Sequence, residues 1–237
     1  MKNISFILVA ILLSACHFGG KSIHGSGKVA SENRSISNFS NLQLSGSFDV
    51  KIKQATTPSL TLVADDNLLQ WIETKKEGNN LILKWKDNTN IHTSNSVKIE
   101  ISAPTPNEIN ISGSGNVKSD GQLENTNNLK LDISGSGNLD LNVKTPSLSV
   151  SIAGSGKATL HGETRDLDIA IAGSGDYLGE NLKSENATIA ITGSGSAKLY
   201  ASKNLNASIT GSGDIWYAGK PTIQQQIVGN GSLKALP

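Results

Sequence analysis

The triplet Gly-Ser-Gly begins at Gly113, Gly135, Gly154, Gly173, Gly193 and Gly211, and a Gly-Asn-Gly variant follows at Gly229. Successive triplets are 22, 19, 19, 20, 18 and 18 residues apart. A period near twenty marks a solenoid, in which each repeat makes one coil and stacks on the next. Within each repeat a second period appears. Leu129, Leu131 and Ile133 precede one triplet, Leu148, Val150 and Ile152 the next, and Leu139, Leu141 and Val143 follow one. Spacing by two is the signature of a strand with one buried face. Together the two periods predict an all-β chain of stacked coils around a continuous core that no single repeat buries alone.

The glycines carry two requirements. A chain turning between short strands needs backbone dihedrals at or near positive φ, where glycine meets no steric penalty. Each corner also lies about 4.8 Å above its copy one coil down, which leaves little room for side chains. The central serines are expected to form a ladder of hydroxyls along the stack. A phosphate-cradling loop needs a helix after the glycines, and alternating strand follows them here. Calcium β-rolls use nonapeptides with a regular Asp. The residues after these triplets run Asn116, Asn138, Lys157, Asp176, Ser196 and Asp214, which is no acidic ladder.

At the N-terminus Lys2 precedes an apolar run from Ile4 to Leu13. A positive start and a short apolar segment describe an export signal, and the run is too short to span a bilayer. Leu13-Ser14-Ala15-Cys16 resembles the lipobox of bacterial lipoproteins. The resemblance implies cleavage after residue 15 and a diacylglycerol on Cys16, hence a membrane partner through the N-terminal lipid. His17, with no Asp after the cysteine, implies by resemblance to enteric lipoproteins an outer-membrane address. Cys16 is the single cysteine, so no internal disulfide supports the fold. Without residues 1–15 the chain has 20 basic and 20 acidic side chains. That balance argues against nucleic acid as a partner.

Residues 16–37 read as a lipidated cysteine and a flexible tether, despite an isolated Gly25-Ser26-Gly27. Residues 38–237 read as one β domain, irregular over 38–105 and regular over 106–237. In the irregular portion Ser45-Gly46-Ser47 marks a turn and Gly78-Asn79-Asn80 a hairpin. Asp65-Asp66-Asn67 before Leu68–Ile72 gives a helix start and a short helical stripe, and Pro104 and Pro106 punctuate the entry into the repeats.

Phe39 through Ile52, Ala64-Asp65-Asp66-Asn67-Leu68-Leu69, the serial Ile-Ser-Gly-Ser-Gly units and Gly211 through Pro221 resemble the GIN domain. That family is named for a proposed place at the head of auto-transporter adhesins. The resemblance covers roughly residues 38–231 and implies a right-handed parallel β-helix in envelope proteins, often lipoproteins. It brings no catalytic or ligand residues. With its own lipid signal and no C-terminal membrane barrel, the chain is not expected to be an auto-transporter alone.

β-Helices host polysaccharide-active enzymes, so carboxylate pairs matter. Asp176 and Asp214 fall at equivalent positions two coils apart, about 9–10 Å, with Ser196 between them. Asp after a turn commonly bonds local backbone instead. His24, His92 and His161 stand singly without metal-ligand spacing, Arg34 and Arg165 are far apart, and no metal or cofactor is implied. Trp216 and Tyr217 are adjacent, so on a strand one faces inward and the other outward. An outward aromatic stacks on a sugar ring; an inward one caps the core. Outward Ser149, Ser151, Asp168, Thr188 and Ser208 suit broad polar contacts. The expected function is a lipid-anchored adhesin or ligand-binding module of the cell envelope without catalysis, its partner a glycan or an envelope protein. An envelope scaffold or assembly partner is the alternative reading, and a polysaccharide-active enzyme a further one.

Overall fold

The structure, a computed structural model, describes residues 20–236. The expected signal peptide and Cys16 lie outside them. The regular part runs in chain order through β10 (Glu108–Gly113), β11 (Asn116–Glu124), β12 (Asn128–Gly135), β13 (Asn138–Gly154), β14 (Lys157–Gly173), β15 (Asp176–Lys183), β16 (Asn186–Gly193), β17 (Ser196–Tyr200), β18 (Asn204–Gly211), β19 (Asp214–Ala218), β20 (Thr222–Gly229) and β21 (Ser232–Ala235). Nine strands precede them: β1 (Lys21–His24), β2 (Val29–Arg34), β3 (Asn41–Ser45), β4 (Phe48–Gln54), β5 (Ser59–Asp65), β6 (Ile72–Glu77), β7 (Asn80–Trp85), β8 (Thr89–His92) and β9 (Val97–Ala103).

Each coil makes two passes, one before and one after its triplet. The passes before the triplets stack in parallel as β3, β10, β12, the second half of β13, the second half of β14, β16, β18 and β20. We call this face A. The passes after the triplets form face B from β4, β11, the first halves of β13 and β14, β15, β17, β19 and β21. The result is a parallel β-solenoid of about seven turns. Between the faces lie Leu131, Val150, Ile169, Ile189 and their neighbours, all buried in one continuous cluster.

The corners carry both glycine requirements, and the first glycine of each triplet meets the two together. The first glycine of each regular triplet has φ between +116° and +125°. A Cβ on Gly135 would lie 2.6 Å from the Gly113 carbonyl oxygen. The second glycine is crowded without a positive φ: a Cβ on Gly137 would lie 2.7 Å from the Ile111 Cγ2. The expected hydroxyl ladder is not present. The serine backbone N–H groups form the ladder, Ser136 donating to the Gly113 carbonyl and Ser155 to that of Gly135, each at 2.9 Å. The side chains at Ser136 and Ser155 face solvent. At the opposite corner, buried hydroxyls serve the backbone: Thr145 Oγ1 donates to the Asn127 carbonyl at 2.7 Å, and Ser184 donates to that of Tyr200.

One coil departs from the pattern. Tyr177 is fully buried, with Ala158 below it and Ala197 above in register. Its ring occupies the space beside Gly179, and β15 carries an extra residue opposite β14 there. No partner reaches the phenol oxygen, and burial pushes its pKa well up.

The N-terminal end threads out of sequence order. Strand β7 pairs in parallel beneath β3, and β9 beneath β4. Antiparallel strands then finish the end, β6 on β7, β5 on β9 and β2 on β5. Gly78 turns the β6–β7 hairpin at φ +56°. The expected helical stripe reduces to a single 3-10 turn, Leu69–Trp71.

The flexible-tether expectation for residues 16–37 is corrected over the described part. β1 pairs with β8, and β2 with β5. β2 presents no fully buried side chain, so its attachment is a backbone ladder that polar composition conceals. Arg34 adds side-chain anchors: Nη2 donates to the Leu69 carbonyl at 2.7 Å and Nη1 to the Ile72 carbonyl at 2.5 Å. The isolated Gly25-Ser26-Gly27 is a clasp. Ser26 Oγ donates to Asp66 at 2.6 Å, and Asn67 Nδ2 to the His24 carbonyl at 2.8 Å. Asp65 beside them is buried; hydrogen bonds from Asn95 and Thr93 hold its carboxyl below the usual range.

Candidate functional site

On a strand, residues alternate between core and solvent, and parallel register carries that choice from coil to coil. The outward side of face B therefore presents columns of side chains one strand spacing, about 4.8 Å, apart. One column reads Glu100, Lys51, Lys118, Asp140, Thr159, Leu178, Lys198, Trp216, Lys234 from the N-terminal end. Beside it run Lys98, Asp49, Asn116, Asn138, Lys157, Asp176, Ser196, Asp214 and Ser232.

The second column is stitched by hydrogen bonds between successive coils. Asn116 Nδ2 donates to Asp49 at 2.7 Å and Asn138 Nδ2 to Asn116 at 2.8 Å. Ser196 Oγ donates to Asp176, and Ser232 Oγ to Asp214. Such bonds hold the side chains at fixed orientations, which lowers the entropy lost when a ligand binds. Toward the N-terminal end the two columns line a groove of about 460 Å³ that presents Lys51, Lys98 and Lys118 together with Asp49, Glu100 and Asp140. Lys51 reaches Asp120 at 3.1 Å.

The structure places Asp176 and Asp214 two coils apart on one column, with Ser196 between them in register. Each of the two carboxylates accepts a hydrogen bond from a serine hydroxyl of the next coil. Trp216 lies on the outward column between Lys198 and Lys234. Tyr217, in register with the buried Leu199, packs against the core at the C-terminal end. The two aromatics thus have different surroundings.

Sequence separation hid another pairing. His24 and His92, in register on β1 and β8, stack with ring centroids 4.9 Å apart. His24 and His92 stand singly in the sequence, and only the parallel register of β1 with β8 brings them together. His161 lies apart from them, its Nε2 3.9 Å from Asp140. Among the described residues no three His, Cys, Asp or Glu side chains gather as metal ligands.

Comparison with known proteins places this geometry. Residues 38–221 match the family model described as "Putative auto-transporter adhesin, head GIN domain". The chain belongs to the GIN-domain family. No curated protein matches it. Among solved structures, a putative adhesin from Bacteroides fragilis NCTC 9343 is 26% identical with a TM-score of 0.85, over 90% of this chain and 100% of that one. A putative lipid binding protein from Parabacteroides distasonis ATCC 8503 is 26% identical, TM-score 0.74, over 92% and 100%. A putative adhesin from Parabacteroides merdae ATCC 43184 is 25% identical, TM-score 0.72, over 92% and 100%. The GIN domain here is therefore similar in extent and fold to whole solved chains, and its family and neighbours fit an adhesin-like binding module associated with the cell envelope.

Proposed function

We propose that this GIN domain is a non-catalytic adhesin module that binds an extended polar ligand, a glycan chain, along the outward columns of face B. The observation that carries the reading is the placement of Trp216 on the same column as Lys51, Lys118 and Lys198. A flat aromatic supplies a stacking surface for a sugar ring. Lysines, carboxylates and ordered amides at a regular pitch supply hydrogen bonds to successive hydroxyls. The carboxylates of the second column are engaged in coil-to-coil hydrogen bonds, which suits recognition more than acid–base chemistry. In this reading the module is carried on the outer membrane by lipid on Cys16.

The test is titration of residues 20–237 with envelope and host polysaccharides, following binding by calorimetry and cleavage by release of reducing ends. Saturable binding weakened about tenfold or more by Trp216→Ala, and by Lys118→Ala or Lys198→Ala, supports the reading. Binding indifferent to all three variants would place recognition elsewhere, and cleavage lost on Asp176→Ala or Asp214→Ala would make the protein an enzyme. For the anchor, incorporation of labelled fatty acid into the full chain should vanish in Cys16→Ser. Persistence of the label would refute it.

A further inference from the structure

The two ends of the solenoid are finished differently. At the N-terminal end the edge strands are β6, with Glu73, Lys75, Lys76 and Glu77, and β2, with Glu32 and Arg34. Charged edge strands resist pairing with another chain. Among the described residues the last strand of face A is β20, Thr222-Ile223-Gln224-Gln225-Gln226-Ile227-Val228-Gly229, which carries no charge and no proline.

Register makes this edge unfinished. Leu205, Ala207 and Ile209 of β18 are buried, and their counterparts on β20 are Ile223, Gln225 and Ile227. Ile223 and Ile227 remain 37% and 36% exposed. Gln225 stands where the coils below place Leu131, Val150, Ile169, Ile189 and Ala207. The Thr222 N–H donates to the Lys203 carbonyl, toward β18. Backbone groups alternate sides along a strand, so those of residues 223, 225 and 227 point to the free edge.

The sequence around Gln225 reads the same in both directions, Ile-Gln-Gln-Gln-Ile. We propose that β20 is a self-recognition edge, where a second copy of this chain pairs antiparallel about a two-fold axis through Gln225. The axis sets Ile223 against Ile227 of the second copy, and Ile227 against its Ile223. Gln225 meets its own copy, and each primary amide has the donor and acceptor the other needs. Residues 223, 225 and 227 become the hydrogen-bonded pairs of an antiparallel ladder, satisfying the edge that β18 leaves open. Such an isologous contact closes as a dimer rather than growing into a fibre. The charged opposite end disfavours head-to-tail stacking.

Residues 20–237, which hold every strand and the whole core described above, supply the test. Sedimentation across a concentration series should show a monomer–dimer equilibrium. Gln225→Pro removes the central edge donor and leaves the bonds to β18 in place, so it should give a monomer that melts like the wild type diluted to its monomeric state. Ile223→Lys should also give a monomer, and adding Ile227→Glu to the same chain should restore the dimer by pairing opposite charges twice. In a separate variant, Gln225→Cys puts two cysteines about 5.5 Å apart between Cα atoms, within disulfide reach, and should cross-link under mild oxidation where Val228→Cys does not. A protein monomeric at every concentration, or a dimer that survives both Gln225→Pro and Ile223→Lys, overturns the proposal.

Discussion

Tyr177 fills the space that a side chain at Gly179 would need, its ring lying across the backbone of its own strand where β15 bulges. The phenol oxygen is buried without a hydrogen-bond partner. A buried hydroxyl in that condition costs stability, so Tyr177→Phe is expected to leave the protein as stable or slightly more so. Tyr177→Ala should cost about 3–5 kcal/mol by emptying the coil between Ala158 and Ala197. Gly179→Ala should be destabilising through direct collision with the ring. Denaturant midpoints of the three variants check the order.

The corner glycines and the serine between them should respond in opposite ways. Gly154→Ala meets a backbone at φ +121° and a Cβ position 2.5 Å from the Gly135 carbonyl oxygen. The dihedral alone costs about 1–2 kcal/mol, and the collision adds to it. Ser155→Ala removes an exposed side chain and leaves the backbone ladder intact, so its effect should stay within about 0.5 kcal/mol. Equal losses at both positions would mean that the serine hydroxyls matter after all.

Arg34 ties the edge strand β2 to the 3-10 turn and to β6 through the carbonyls of Leu69 and Ile72 and the Thr74 hydroxyl at 2.9 Å. Removing a charged donor from such partners costs about 1.5–3 kcal/mol. Arg34→Ala should therefore lower stability by about that much, and amide exchange should quicken in β2 and near Leu69 before it does in the coils. Arg34→Lys should rescue only in part, because an ammonium lacks the planar fork that spans three acceptors.

Asp65 gives the N-terminal end a dependence on acid. Its carboxyl is held below the ordinary 3.8 by hydrogen bonds from Asn95 and Thr93. A carboxyl depressed in the folded state contributes stability in full above its unfolded value, and loses it as pH falls through the lower folded value. Unfolding midpoints should therefore drop below about pH 4, and Asp65→Asn should be less stable at neutral pH with a smaller drop in acid. A drop of the same size in that variant would assign the acid sensitivity to other carboxylates.

The coils were legible because their determinants are local. Leu148, Val150 and Ile152 declare a strand, Gly154 declares a corner, and the interval to Gly173 declares the next level. The placement of β7 and β9 beneath β3 and β4 was not, since it depends on pairings between distant segments that no local period encodes. Lys21–His24 and Val29–Arg34 escaped notice for a related reason. They bury almost nothing, and their attachment runs through backbone groups that every residue possesses. The adjacency of Trp216 and Tyr217 announced opposite orientations, but which faces solvent required the register with Lys198 and Leu199.

The parallel register of face B turns the outer surface into a ruler whose graduation belongs to the backbone. Every tooth stands one strand spacing from the next whatever side chain it bears, because backbone hydrogen bonds between parallel coils set the pitch and the corner glycines allow it. Exchanging one tooth alters what is read at that mark and leaves all other marks in place. Inserting or deleting a whole coil lengthens or shortens the scale without changing its division. A molecule built this way can be retuned to a new polymer letter by letter, with its fold untouched.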